Sequence, residues 1–283
     1  MPALDEGSFL LMPTSMPHSG VEANLRYIRQ LDMRVQAIPE VEMVVAKAGR
    51  VESALDPALN PGASYYFDGW YVVRDDGNIF NSMGHAKLKP LYLADAQQWL
   101  FNNEVGPFQN GTVLERWQAH PPTPTARTLS TVESPEGFVQ VGVRVVPGTS
   151  RAWRYQYVVL NLDWMQSTFV GAAPNQRLTR SIGLTQLRIP NAPANVANQR
   201  FFDGDETAAN DWTQQIQLGS MLWSAPSGTS QPWASAYTFG FESDAAPVPG
   251  QVQLSGGANS AVQFFVNSVV PFSQLIFASG FED

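Results

Sequence analysis

Hydrophobic and polar positions follow two different rhythms along this chain. In the first segment Leu25, Ile28, Leu31, Val35 and Ile38 recur at spacings of three and four, with Arg26, Arg29, Asp32 and Arg34 largely on the other side. That period predicts an amphipathic helix. Ser19 and Glu22 stand three apart ahead of it as a capping box, in which hydroxyl and carboxylate satisfy the first free backbone N–H groups, and Pro39 stops it. Short apolar runs over 8–12, ended by Pro13, and over 41–46 read as strands on either side. The order is strand, helix, strand, which predicts a helix packed across a sheet.

Beyond residue 58 the rhythm shifts to period two, broken by turns. Leu59-Asn60-Pro61-Gly62-Ala63 opens a turn-rich region, and the aromatic run over 64–73 reads as a strand. The clearest later strands cover 138–146, 153–162 and 237–242, with Pro147-Gly148-Thr149-Ser150 as a hairpin turn between the first two. Residues 93–102 predict a short helix, and His120-Pro121-Pro122-Thr123-Pro124 a stiff loop or linker. Many short strands with regular turns argue for a β-sandwich or jelly-roll-like body, with a loop-rich subregion over 75–135. The expected class is therefore α+β, a small β-α-β unit followed by a mainly antiparallel sandwich.

Composition narrows the functional classes. Net charge is −8 and lysines number only three, so the basic footprint of a nucleic-acid partner is missing. With no cysteine there are no disulfides, thiolate metal sites or cysteine nucleophiles. No window approaches the ~18 apolar residues of a membrane helix; the run over 262–270 contains Gln263, Asn267 and Ser268. Asp5 and Glu6 stand where a signal peptide needs positive charge, so no signal peptide is visible.

The first segment carries a resemblance. Met1-Pro2-Ala3-Leu4-Asp5-Glu6-Gly7-Ser8-Phe9-Leu10-Leu11-Met12-Pro13, Ile38-Pro39-Glu40-Val41, Gly49-Arg50-Val51-Glu52-Ser53-Ala54 and Asp56-Pro57-Ala58 are similar to heavy-metal efflux permeases of the resistance-nodulation-division class. In that family this segment belongs to a periplasmic porter subdomain, which implies a split β-α-β fold here. The family exports Cu(I)/Ag(I) or Co(II)/Zn(II)/Cd(II). Met12 falls on a position that belongs, in the copper and silver branch, to a three-methionine site, and thioethers suit soft monovalent ions. Met12 also ends an apolar strand, where methionine serves as core packing. Its two family partners would lie beyond Ala58, where the resemblance stops, and Met16, Met33 and Met43 do not fall on those positions. The reading is a truncated, non-transporting porter fragment over 1–58, joined at a fusion junction to an unrelated body over 59–283.

That body is similar to a group of secreted bacterial proteins with no known activity, through Tyr66-Phe67-Asp68-Gly69-Trp70-Tyr71-Val72, the strand from Trp153-Arg154-Tyr155 to Asn161, and Phe202-Asp203-Gly204-Asp205 running to Asn210-Asp211-Trp212. The ending Ile276-Phe277-Ala278-Ser279-Gly280-Phe281-Glu282 resembles a tail seen on exported proteins of Gram-negative bacteria. Both resemblances imply a periplasmic or extracellular location.

Catalytic signatures are absent. There is no Gly-x-Ser-x-Gly elbow, no His-Glu-x-x-His, no phosphate loop and no dinucleotide fingerprint. The three histidines, His18, His85 and His120, are far apart and read as surface or turn residues. An enzyme is not expected; a carbohydrate-active enzyme has no motif behind it, although paired carboxylates are set by spatial distance and leave no sequence trace. Asp203, Asp205, Glu206, Thr207, Asn210 and Asp211 cluster hard oxygen ligands in one stretch, as Ca²⁺ requires, with Asp203, Asp205 and Asp211 as the metal candidates. The stretch departs from an EF-hand: Ala208 replaces the glycine and Gln214 the bidentate glutamate. A solvated acidic turn has the same composition. Trp70, Trp153, Trp212 and Trp233 suit either a carbohydrate face or a sandwich core. The expectations for the whole chain are thus an efflux-related fragment and a secreted or cell-surface sandwich that binds calcium, a small ligand or a glycan.

Overall fold

The computed structural model describes residues 61–70, 78–93, 98–103, 108–172, 175–191, 196–204, 207–217 and 219–272. The chain divides into two units, Met1–Glu115 with Gly171–Gln176 and Arg116–Val170 with Arg177–Asp283.

In the first unit, β1 (Tyr65–Gly69) pairs antiparallel with β2 (Gly84–Leu93). The other edge of β2 is shared by β3 (Gln98–Asn103) and β4 (Gln109–Asn110). A 3-10 turn at Ile79–Asn81 precedes β2, with the Asn78 side chain accepting from the Phe80 N–H. Among its described residues Ile79, Met83, Ala86 and Leu114 are buried apolar side chains, while Phe67, Leu91, Leu100, Phe101 and Phe108 are exposed.

The second unit is a sandwich. One sheet has the order β11-β14-β7-β6-β5, built from β5 (Ala126–Ser134), β6 (Gly137–Pro147), β7 (Trp153–Asn161), β11 (Ala197–Phe202) and β14 (Ser235–Ser243). The other has the order β12-β13-β10-β15-β16, from β10 (Leu184–Pro190), β12 (Thr213–Gln217), β13 (Ser220–Ser224), β15 (Pro247–Gly256) and β16 (Val262–Pro271). A separate ribbon pairs β8 (Gln166–Val170) with β9 (Arg177–Ile182). Every pairing is antiparallel. Alternation decides which face each strand buries. Val139, Val141, Val143 and Val145 on β6 meet Leu187 and Ile189 on β10, Val252 and Leu254 on β15 and Val266 on β16 in a single core.

Aromatic residues fix the spacing of the two sheets. Phe201 of the first sheet stacks at 6.1 Å between ring centres on Trp212, which leads into β12 of the second, while Tyr155 stacks at 5.0 Å on its cross-strand partner Phe241 within the first sheet. The Tyr157 hydroxyl crosses the core to donate to the Val269 carbonyl at 2.8 Å, so its one polar atom is satisfied despite complete burial. Burial pushes the phenols of Tyr155 and Tyr157 well above the usual tyrosine range. Each fully buried side chain of this size contributes roughly 1.5–3 kcal/mol.

The outer face of the first sheet is occupied over β6. The chain entering the unit, including the end of α1 (Leu114–Ala119), lies there. Arg144, only 5% exposed, donates to the Trp117 carbonyl at 3.3 Å and the Pro122 carbonyl at 2.7 Å, with its guanidinium over the Trp117 ring. Gln118 donates to the Thr128 and Val143 carbonyls. Burial lowers the Arg144 pKa, the direction expected for a cation held on carbonyls without a carboxylate partner.

Two expectations are corrected. Among the described residues the class is nearly all β, with 60% strand and 7% helix, not α+β. Its helical part was read from residues 1–58, which lie outside the described residues, and from 93–102. There the described residues from Gln98 onward form β3, registered on β2 from Leu93↔Gln98 to Leu88↔Asn103. Cross-strand pairing on a long neighbour outweighs the weak helical spacing of a short segment. The strands expected over 138–146, 153–162 and 237–242 are β6, β7 and β14, and Pro147 to Ala152 turns between the first two.

Candidate functional site

The outer face of the sheet β12-β13-β10-β15-β16 follows from simple alternation. Gln186-Leu187-Arg188-Ile189 on β10 and Gln251-Val252-Gln253-Leu254 on β15 send their apolar members to the core and their polar members outward. On β12 the same rule turns Thr213, Gln215 and Gln217 out; on β16 it turns out Gln263, Phe265 and Asn267.

Register then aligns these side chains in rows. Gln215 faces Leu222, Leu222 faces Arg188, Arg188 faces Gln253 and Gln253 faces Phe265, one residue from each of the five strands. A parallel row runs Thr213, Ser224, Gln186, Ser255 and Gln263. At ~4.8 Å between strands, a row spans roughly 19 Å.

The chemistry of this face is uniform. None of its five strands contains Asp, Glu or Lys, and Arg188 is their one charged residue. Its amides are already ordered: Gln251 Nε2 donates to Asn267 Oδ1 at 3.0 Å, Gln253 Nε2 to Gln263 Oε1 at 2.7 Å, and Gln217 Nε2 to Gln215 Oε1 at 2.7 Å. Each such bond uses one donor and one acceptor of two bifunctional groups, so acceptors and donors are left over on both partners. Phe265 stands among them at 62% exposure. Fixed amides beside an accessible ring suit a ligand with many hydroxyl groups and an apolar flank.

The residues singled out from the sequence are placed elsewhere. Asp203 accepts from Asn210 Nδ2 at 2.9 Å, Asp211 is exposed, and Asp205, like Met12, lies outside the described residues. Among the described residues no group of three carboxylate or histidine side chains converges to hold a metal. Trp212 is buried in the core at 4% exposure. Of the histidines, His120 sits in an exposed loop, but His85 corrects the expectation of a surface residue. It is 2% exposed on β2, its Nδ1 lies 2.9 Å from the Gly111 carbonyl, and Asp68 on β1 is its cross-strand partner. Burial raises the Asp68 pKa, against the Val113 N–H and the nearby His85 that lower it.

Two carboxylates, the half-buried Asp163 and the buried Glu242, do structural work in the second unit. Asp163 accepts from the Phe138 N–H at 2.6 Å, and Glu242 closes the β6–β7 turn. Burial pushes the Glu242 carboxyl up, but the Ser150 N–H, the Thr149 hydroxyl and N–H, and the Arg154 guanidinium outweigh it and hold the group well below the usual carboxylate range.

The outer-face row escaped the sequence reading, although its signal was present. Gln251 and Gln253 alternate with Val252 and Leu254, and Gln263 and Asn267 bracket Phe265 at period two. Which faces of separate strands join into one surface depends on sheet order, which alternation does not contain. No helix among the described residues is long and apolar enough to cross a membrane. No protein-family model matches the chain, and no curated protein or solved structure matches it either.

Proposed function

We propose that the second unit is a glycan-binding sandwich whose ligand lies along the outer face of β12-β13-β10-β15-β16. The observation that carries this reading is the registered row Phe265, Gln253, Arg188 across three adjacent strands. An exposed ring on a flat polar face offers a stacking platform for the apolar flank of a sugar. The neighbouring amides supply paired donors and acceptors for its hydroxyls. The row is long enough for a short oligosaccharide and is built on strands, which hold side chains more firmly than loops.

The test is binding of the full chain to a panel of immobilised polysaccharides, with Phe265→Ala alongside. Binding by the parent chain that weakens about tenfold or more in the variant supports the reading. No binding to any member of the panel, or equal binding by the variant, overturns it. The efflux reading rests on residues 1–58 and makes no demand on this face.

A further inference from the structure

The charge distribution of the face narrows its ligand. The chain carries 25 acidic residues against 17 basic ones, yet the five strands of this face carry no acid at all and one arginine. Arg188 occupies β10, the central strand, with Leu222 on one side and Gln253 on the other. It is half-buried, and no carboxylate among the described residues pairs with it. Its counterpart on the opposite sheet, Arg144, is covered by chain and holds two carbonyls; Arg188 faces outward with no such duty.

A guanidinium presents a planar fork that binds a carboxylate through two parallel hydrogen bonds. Resting on the glycan reading above, we propose that the ligand is a uronic-acid-containing polysaccharide, with Arg188 clamping a uronate carboxylate while Phe265 and Gln253 hold the adjoining sugar. A lone arginine in a row of roughly 19 Å otherwise lined by neutral side chains matches a single uronate carboxylate in that length of ligand. A heavily sulfated glycan would call for a basic patch, which the face lacks. The net charge of −8 does not forbid an anionic ligand, because exposed charges beyond about 8 Å are largely screened at physiological ionic strength, whereas the carboxylate would touch Arg188 directly.

The experiment compares one backbone with and without its charge: polygalacturonate and its fully methyl-esterified form, titrated into the full chain, Arg188→Gln, Arg188→Lys and Phe265→Ala. The expected result is at least a tenfold preference of the parent chain for the free acid. Arg188→Gln abolishes that preference, Arg188→Lys retains part of it, and Phe265→Ala weakens both ligands together. Equal binding of acid and ester by the parent chain overturns the uronate assignment while leaving the glycan reading standing, and this comparison needs no variant to fold. Binding of dextran sulfate that exceeds polygalacturonate and survives Arg188→Gln also overturns it, as unspecific attraction. Failure to bind either form, together with failure across the neutral panel, overturns the glycan reading itself.

Discussion

Glu242 Oε2 lies 2.6 Å from the backbone nitrogen of Ser150, a residue ninety-two positions earlier in the chain. The same carboxylate accepts from the backbone N–H groups of Thr149 and Arg151 and from Arg154 Nε. Three consecutive amides of a hairpin turn therefore converge on one buried anion delivered by β14. Truncation to Glu242→Ala leaves those donors and the Arg154 guanidinium without an acceptor. The expected loss is about 3 kcal/mol in urea unfolding, with Glu242→Gln losing less because it keeps one acceptor oxygen.

Acid should act through the same group. Its folded-state pKa is depressed, so its contribution is fully present above the ordinary carboxylate range and is lost as pH falls toward the lower folded value. Melting temperature followed downward from pH 5 should fall more steeply for the parent chain than for Glu242→Gln. Parallel curves would remove Glu242 as the cause.

Asp163 has the opposite sign. Burial raises its pKa against the Phe138 N–H bond, so the folded state holds the proton more tightly and stability declines as pH rises through the interval just above the ordinary carboxylate value. Asp163→Asn keeps an oxygen for Phe138 and should flatten that decline. A steeper decline in the variant would contradict the assignment.

Gly183 lies where a side chain has no room. A Cβ there would meet the Gln231 carbonyl oxygen, which accepts from the Leu184 N–H while the Gln231 N–H donates back to Leu184 at 2.7 Å. Gly183→Ala should cost about 1–3 kcal/mol through this clash, measured by denaturant unfolding, and should leave the slope of the transition unchanged.

Stability and binding should separate on the outer face. Phe265→Ala and Gln253→Ala remove side chains that point away from the core, so the unfolding free energy should change by no more than about 0.5 kcal/mol while polysaccharide binding falls. A large loss of stability in either variant would mean that the row is structural.

Much of the sandwich was legible in single strands. Val139, Val141, Val143 and Val145 alternate with outward-facing residues over the whole of β6, and Trp153 to Asn161 does the same on β7. β3 was misread because a six-residue strand is too short for period alone to decide, and its identity comes from β2 beside it. His85 was misread for a related reason: its burial depends on β1 and on Gly111, neither of which its neighbours in sequence predict. Asp203 and Asp211 stood out because they cluster along the chain, whereas Arg188 and Phe265 meet only through a sheet order that places β15 between β10 and β16.

That sheet order also sets a sequence of events in time. β10 is made before both of its lateral partners: β13 follows about thirty residues later and β15 about sixty. A nascent chain that has reached Pro190 therefore carries a hydrophobic strand with two unfilled edges, a species prone to pairing with its neighbours. The row from Gln215 to Phe265 is complete only when Phe265 has emerged, so a ribosome-stalled or proteolytically shortened chain lacking β16 would expose the core and, on the glycan reading proposed above, lack its stacking ring.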